Sequence, residues 1–284
     1  MKSGDSNDDS AAAIRAPQRR EHITRLLLER DKVSVRELCE LFNVSTMTIH
    51  RDLDALQARG ILRKVHGGAT AQPSSLYESS LSYRRGAMAD AKRSIARRAV
   101  LDVSPGSSIL LDDSTTCLEM VPFLARIQQL TIVTNSLKVL EGLISQDETT
   151  SKVILLGGDY DEKYDSLLGV LTEHSLTELR VDQCFLSVSA VDVGHGAFHQ
   201  EPHQARVKKT MTEIASSSIL LVDSSKLGKR ALHRIVGLDA FDLVIVDDAA
   251  RPEDVSALRA AGARVVIASE GDDPTETARG ETES

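Results

Sequence analysis

Apolar residues along this chain fall into two regimes. In the first, Ile23, Leu26 and Leu27 form one face of a helix that also carries Arg30, and two more short helices follow it. Val33-Ser34-Val35-Arg36-Glu37-Leu38 opens one of them. Ser34 and Glu37 have capping-box spacing, and Val33 with Leu38 can close a hydrophobic staple. This helix is expected over about 35–42, with Asn43 ending it. The next begins in the same way, with Ser45 as N-cap and Val44 facing Ile49. Ile49, Leu53 and Leu56 fall on one stripe, so Met47, His50, Arg51 and Asp54 point away from the core. Gly60 is expected to end this helix. Residues 61–65 and those after Gly67-Gly68 then read as a small hairpin whose basic residues are Arg63 and Lys64, with His66 at its tip.

The second regime begins near residue 91. Helical periods alternate with near-continuous apolar runs at 108–112, 130–134, 152–156, 183–188, 218–222, 243–246 and 264–268. Helices are expected at 92–101, 116–127, 136–143, 204–215 and 252–261. Strands of this kind, alternating with helices, predict a mostly parallel sheet covered on both faces. Five segments follow: a disordered tail (1–17), a winged helix-turn-helix domain (18–72), a linker (73–90), a Rossmann-like α/β domain (91–271) and a second disordered tail (272–284).

Charge separates the segments further. Residues 18–72 carry +3, the tail before them −1, and the remaining 212 residues −10, within a chain of net charge −8. A cationic module on an acidic body favours phosphate contact through the module alone. Three short helices with a tight connection at Asn43-Val44 fit a helix-turn-helix, whose second element enters the major groove. Arg51, His50 and Met47 would then meet base edges, and Ser45, Thr46, Thr48, Arg63, Lys64 and His66 the backbone.

Polar residues collect at the carboxyl ends of the expected strands, where open α/β sheets bind ligands. Asp112-Asp113-Ser114-Thr115-Thr116 lies between a strand and a helix and offers amides and hydroxyls for a phosphate. Thr134-Asn135-Ser136 repeats the arrangement, Gly157-Gly158 allows close backbone approach, and Asp223-Ser224-Ser225-Lys226 adds a carboxylate and a cation. Singly, each is an ordinary cap or turn; four at successive strand ends describe a pocket. Cys39, Cys117 and Cys184 are isolated, so neither a disulfide framework nor a metal pair is expected, and the compartment is reducing cytoplasm. No apolar run is long enough to span a bilayer. His195, His199 and His203 recur every four residues, but Gly194, Gly196 and Pro202 break any shared helix, so sugar contacts or solvent exposure explain them better than a metal.

Thr48-Ile49-His50-Arg51-Asp52-Leu53 followed by Val65-His66-Gly67-Gly68-Ala69 resembles the DeoR family of bacterial transcriptional repressors, and the resemblance extends through the C-terminal region. It implies a sensor domain related to ribose-5-phosphate isomerase that binds phosphorylated sugars. Asp112 to Thr116, Val133 to Ser136, Asp223 to Lys226 and the helix bearing Gln204, Ala205 and Lys208 resemble the family's ligand loops. The chain departs from the family pattern at His50 (an arginine there), Ser114 (a glycine), Gln204 (a glutamate) and the segment 187–190 (two glycines). Isomerisation needs a carboxylate base, which Gln204 cannot supply, although Glu201 lies three residues earlier. The expectation is a cytoplasmic DNA-binding regulator, a repressor of a carbohydrate uptake or catabolism operon. Its partners would be operator DNA, a phosphorylated sugar and further copies of itself, with no cofactor and no catalytic activity. The alternative is a sugar-phosphate isomerase carrying an accessory DNA module.

Overall fold

The computed structural model of the chain describes residues 15–30, 32–58, 62–71, 81–146, 151–269 and 271–272. They belong to two compact units, divided between Ser79 and Ser80.

The first unit holds α1 (Ala16–Arg30), β1 (Lys32–Ser34), α2 (Val35–Phe42), α3 (Thr46–Ala58), β2 (Leu62–Val65) and β3 (Gly68–Ala71). Its core is Ile23, Leu27, Val33, Leu38, Phe42, Ile49, Leu53, Leu56, Leu62 and Ala69, which includes the stripe residues of α1 and α3. The Ser34 hydroxyl accepts from the Glu37 amide at 3.1 Å, and Asn43 closes α2 with a left-handed φ of 50°. The expected capping box is only half made, because the Glu37 carboxylate turns to Arg30 at 2.7 Å. α1 also starts before the expected end of the tail: Ala16 is helical, and Pro17 occupies its first turn, where a missing N–H costs nothing. Gly60 and Ile61 lie outside the described residues.

β1 was not expected. It pairs antiparallel with β3, which also pairs with β2, so the hairpin is a three-stranded sheet in the order β1-β3-β2. Gly68 makes this possible, since a Cβ there would stand 2.1 Å from the Val33 carbonyl oxygen. Gly67, at φ 74°, turns the hairpin.

The second unit holds α4 (Leu81–Gly86), α5 (Ala89–Val100), β4 (Ser108–Leu111), α6 (Thr115–Leu118), α7 (Val121–Leu124), β5 (Thr131–Thr134), α8 (Leu137–Ile144), β6 (Lys152–Leu155), β7 (Asp159–Asp161), β8 (Ser166–Leu168), α9 (Val170–Thr177), β9 (Val181–Leu186), β10 (Ala190–Asp192), β11 (Gly196–His199), α10 (Pro202–Ile214), β12 (Ala215–Val222), β13 (His233–Val236), β14 (Leu243–Asp247), α11 (Pro252–Ala260) and β15 (Val265–Ala268). Seven strands form one parallel sheet in the order β15-β14-β12-β9-β4-β5-β6. Successive residues of each strand alternate between two cores. Leu110, Cys184, Leu186, Leu220 and Val244 meet α10 and α11 through Val207, Met211 and Leu258. Ile109, Leu111, Phe185, Ile219 and Ile245 meet α5 to α8 through Ile95, Ala99, Met120 and Val139. Burial on both faces is why these strands read as unbroken apolar runs.

Three differences from the sequence expectation have local causes. The helix expected over 116–127 is two single turns, α6 and α7, because Pro122 cannot donate to the preceding turn and instead occupies the start of α7. The segment expected as linker contains α4 and the first residues of α5. The β7–β8 hairpin, α9 and a small antiparallel sheet, β10-β11-β13, are additional. The strand order reverses between β4 and β9, since the chain proceeds β4, β5, β6 to one side and β9, β12, β14, β15 to the other. The carboxyl ends of β4 and β9 therefore form the topological switch point.

In the first unit, Asp52 is buried on the inner side of α3 and accepts from Arg19 at 2.6 Å and Arg20 at 2.7 Å, which fastens α1 to α3. Asp52→Ala removes the buried carboxylate shared by Arg19 and Arg20 and should lower the stability of this unit by roughly 3 kcal/mol. The check is denaturant unfolding of the full chain, in which the transition of the sensor unit should not move. Gly68→Ala should cost about 1–3 kcal/mol by driving β1 from β3, read as faster amide exchange in residues 32–34.

Candidate functional site

In the first unit the outer face of α3 is polar and exposed. Ser45, Thr46, Met47 and Arg51 are exposed, and Thr48 and His50 are half-buried. The Ser45 hydroxyl caps the helix, accepting from the Thr48 amide at 3.2 Å and lying 3.0 Å from the Thr48 hydroxyl. His50 does not stand fully outward. Its Nδ1 is enclosed without a partner among the described residues. On the wing, Arg63 and His66 are exposed, while Lys64 is tied to Asp54 of α3 at 2.6 Å. The Lys64 amide also donates to Gln57, at 3.0 Å, so Lys64 docks the wing onto the helix through both Asp54 and Gln57. This candidate face exposes Arg51, Arg63 and His66, none of them ion-paired among the described residues, together with the apolar Met47 side chain.

In the second unit the switch point is occupied by a buried ionic network. Lys208, projecting from α10, contacts Asp112 and Asp113, which follow β4 directly. Asp112 also accepts from the backbone amides of Ser114 and Ser187, each at 2.8 Å, and so ties the end of β4 to the loop after β9. Asp113 accepts from Ser166 of β8 at 2.7 Å and from the Gln204 amide one turn before Lys208. Burial by itself would raise the Asp113 carboxyl, but Lys208, the Ser166 and Gln204 hydrogen bonds and Arg84 more than offset it and hold it at about 2. Burial would likewise strip Lys208 of its proton, yet Asp112 and Asp113 raise it above the ordinary lysine value.

Beside this network, Lys226 donates to the Ser187 hydroxyl at 2.9 Å and faces Asp223 at 3.5 Å. Asp223 is buried, which would raise it, but Lys226, Ser225 and Lys92 hold it below the usual carboxylate range. Lys226 keeps some exposure, at 16% of its side chain, so it is the cation through which the network meets solvent.

The remaining loop residues divide by what they already hold. Ser114 caps α6 by accepting from the Cys117 amide at 3.1 Å, and Thr115 donates to the Arg84 carbonyl at 3.3 Å. α6 is a single turn, so the helix-dipole part of the expected phosphate cradle is weak. Thr134 accepts from the Ser136 amide, Ser136 caps α8, and the Asn135 amide group donates to Leu167 at 3.1 Å. Gly158 serves packing, because a Cβ there would lie 2.1 Å from the Thr172 hydroxyl; Gly157 faces open space at the end of the edge strand β6. On the elements around this network, the buried Thr116 Oγ1, Asn135 Oδ1, Tyr164 OH and Gln204 Oε1 have no partner among the described residues. Buried polar atoms of this kind call for an ordered water or a polar ligand group.

The histidine series splits up. His195 pairs with Asp192 at 2.8 Å in an exposed turn, and His203 lies on α10 beside Arg206. His199 is buried against the Tyr164 ring, which removes solvent exposure, one of its two expected readings, and burial with Lys208 nearby keeps it neutral. Among the described residues no group of three His, Cys, Asp or Glu could hold a metal ion. Sequence reasoning missed four contributors. Arg84 lies in the expected linker and stacks over the Tyr164 ring at 4.6 Å. Tyr164 and Ser166 belong to the unexpected hairpin. Lys92 is buried on α5 and donates to the carbonyls of Arg84 and Ala87. Its signal was present: Lys92 lies on the same helical stripe as Ile95, Ala96 and Ala99, an unusual place for a lysine.

Comparison with known proteins bears on both units. Residues 19–75 match the DeoR-like helix-turn-helix domain, and residues 87–248 match the DeoR C-terminal sensor domain. The chain is 31% identical over 270 residues to a putative aga operon transcriptional repressor of Escherichia coli, covering 93% of this chain and 100% of that protein. It is 30% identical over 234 residues to the Escherichia coli glycerol-3-phosphate regulon repressor, covering 82% and 92%. With the lactose phosphotransferase system repressor of Staphylococcus epidermidis it shares 32% identity over 231 residues, covering 81% and 91%. Among solved structures, the full-length sorbitol operon regulator SorC of Klebsiella pneumoniae aligns at a TM-score of 0.39 with 10% identity, over 84% of this chain and 97% of that one. Ribose 5-phosphate isomerase A of Methanocaldococcus jannaschii aligns at 0.36 with 17% identity, over 49% and 55%. The two sequence models together span the winged unit and most of the sensor unit, and the chain belongs to the DeoR family of transcriptional regulators.

Proposed function

We propose that this protein represses an operon for carbohydrate uptake or catabolism in the cytoplasm, and that a phosphorylated sugar releases it from its operator. The observation that carries this reading is the joining, in one chain, of a capped recognition helix with a docked wing to a buried ionic network at the strand ends of a topological switch point, with Lys226 partly open to solvent. The printed names of the relatives, repressors of aga, glycerol-3-phosphate and lactose systems, agree with it. Arg51, His50 and Met47 read bases, while Ser45, Thr46, Thr48, Arg63, Lys64 and His66 follow the backbone. A phosphoryl group meets Lys226 and the Ser187 loop, and the sugar hydroxyls meet the orphaned acceptors of Gln204 and Asn135. One winged unit reads few bases, so copies of the chain act together on paired half-sites.

The chemistry argues against turnover. Asp112, Asp113 and Asp223 are ion-paired and hydrogen-bonded, and Gln204 cannot take a proton. Purified protein should convert no ribose 5-phosphate above the uncatalysed rate; measurable turnover abolished by Asp113→Asn would establish the enzyme reading instead.

The DNA face is tested by selecting operator sequences with the full chain and titrating variants against them. Arg51→Ala should weaken specific binding by roughly 1–3 kcal/mol and relax one base position. Arg63→Ala should reduce the slope of log affinity against log salt by about 1, and Lys64→Ala by clearly less, because Asp54 already neutralises Lys64. Equal slopes for the two variants would show that the wing meets DNA differently. A panel of sugar phosphates added to the same assay should contain at least one that lowers operator affinity, with its unphosphorylated sugar inactive.

A further inference from the structure

Lys92 and Lys208 are both buried, yet they are held differently. Lys208 lies between two carboxylates, whereas Lys92 has no carboxylate within ion-pair distance among the described residues. Its ammonium donates to the carbonyl of Ala87 at 2.6 Å and to that of Arg84. Between α4 and α5 the chain turns at Met88, whose φ of 55° and ψ of 36° lie in the left-handed region that side chains other than glycine rarely adopt. The buried Lys92 Nζ thus ties a strained turn together through its N–H donors, while the burial of its positive charge works against that closed form. The charged groups facing it are Arg84 of α4, Glu119 after α6, and Asp223 and Lys226 after β12. Burial first, then Lys226, push Lys92 down to about 7; Arg84 acts in the same sense, and Asp223 and Glu119 oppose them.

The clamped turn is connected at both ends. The Arg84 carbonyl also accepts from Thr115, and the Arg84 guanidinium covers Tyr164 and donates to the Lys163 carbonyl at 3.2 Å. In sequence, α4 is the first described element after the winged unit. We propose that Lys92 makes the α4–α5 turn an anion-gated hinge: an anion at the Lys226–Ser187 end of the site compensates the buried ammonium and keeps the turn closed, and its departure loosens the segment that leads to the DNA-binding unit. The identity of the anion rests on the ligand reading above; the clamp does not.

The sign follows from proton linkage. An opened turn exposes Lys92 to water, where it keeps its proton up to the ordinary lysine value of 10.5, while the closed turn releases it at about 7. The open form therefore binds more protons between these values, so closure strengthens as pH rises above 7 and levels off below it. An anion that raises the proton affinity of the closed form flattens this slope by stabilising closure at pH 7.

Amide hydrogen exchange of residues 85–95 in the full chain, corrected for intrinsic rates, tests the hinge. Wild-type protection should rise with pH above 7 by up to about tenfold per unit, the limit for one proton. Lys92→Met, checked for folding by circular dichroism, should lose the pH dependence. Lys226→Met leaves the clamp in place but removes a repelling charge, and should move the onset to higher pH. Inorganic phosphate at pH 7 should raise wild-type protection and leave Lys92→Met unchanged. A flat wild-type profile, or the wild-type slope retained in Lys92→Met, would overturn the hinge. Phosphate that binds by calorimetry without altering protection would overturn the gating. Phosphate that gives no heat while the pH slope persists would count against the anion site, not the clamp.

Discussion

The ammonium of Lys208, enclosed between Asp112 and Asp113, is the contact on which the sensor unit is organised. Three charges removed from water are tolerated only if each is compensated, and here the compensation comes from four elements at once. α10 brings the lysine, the end of β4 brings both carboxylates, the loop after β9 brings the Ser187 amide, and β8 brings Ser166. Shifting any of them would leave a buried charge or donor unsatisfied. The apolar cores on the two faces of the sheet explain why the unit is folded; the ionic network explains why the strand ends at the switch point are held in one arrangement.

The winged unit uses the same device on a smaller scale. Asp52, one position beyond Arg51 on α3, accepts from two arginines of α1, so the residue that faces inward fixes the helix on whose outer side Arg51 is exposed. Its wing is located by a carboxylate as well, through the Lys64–Asp54 pair. In each unit a buried carboxylate–cation pair fixes the element that carries the candidate residues: Asp52 with Arg19 fixes α3, and Lys208 with Asp112 fixes the strand ends at the switch point. Positioning of this kind lets a polar surface keep its shape without being packed into an apolar core.

Local signals in the sequence were read well. Ser34, Ser45 and Asn43 cap helices through contacts within a few residues, and the apolar runs of β4, β5, β12 and β14 follow from burial on both faces. What escaped depends on distant partners or on very short elements. β1 is three residues long and exists because β3 passes close to Val33, which Gly68 permits. The β7–β8 hairpin and α4 carry too few periodic residues to stand out, although Tyr164, Ser166 and Arg84 all come from them. Asp52 and Lys92 were legible in principle, since each is a charge lying on the apolar stripe of its helix. A strand end followed by hydroxyls does not say which of them are already committed: Ser114 caps α6 and Thr115 donates to the Arg84 carbonyl, whereas Thr116 Oγ1 has no partner among the described residues.

The account makes the sensor a binding site whose occupancy is felt at the DNA, so the two affinities must be linked. If a phosphorylated sugar binds free and operator-bound protein unequally, operator DNA must weaken the sugar by the same factor by which the sugar weakens the operator. The most direct measurement is the calorimetric affinity of the full chain for its effective sugar phosphate, taken with and without saturating operator DNA. The account predicts an affinity reduced on DNA by the factor that the sugar itself imposes on operator binding. Equal affinities in the two titrations would contradict it.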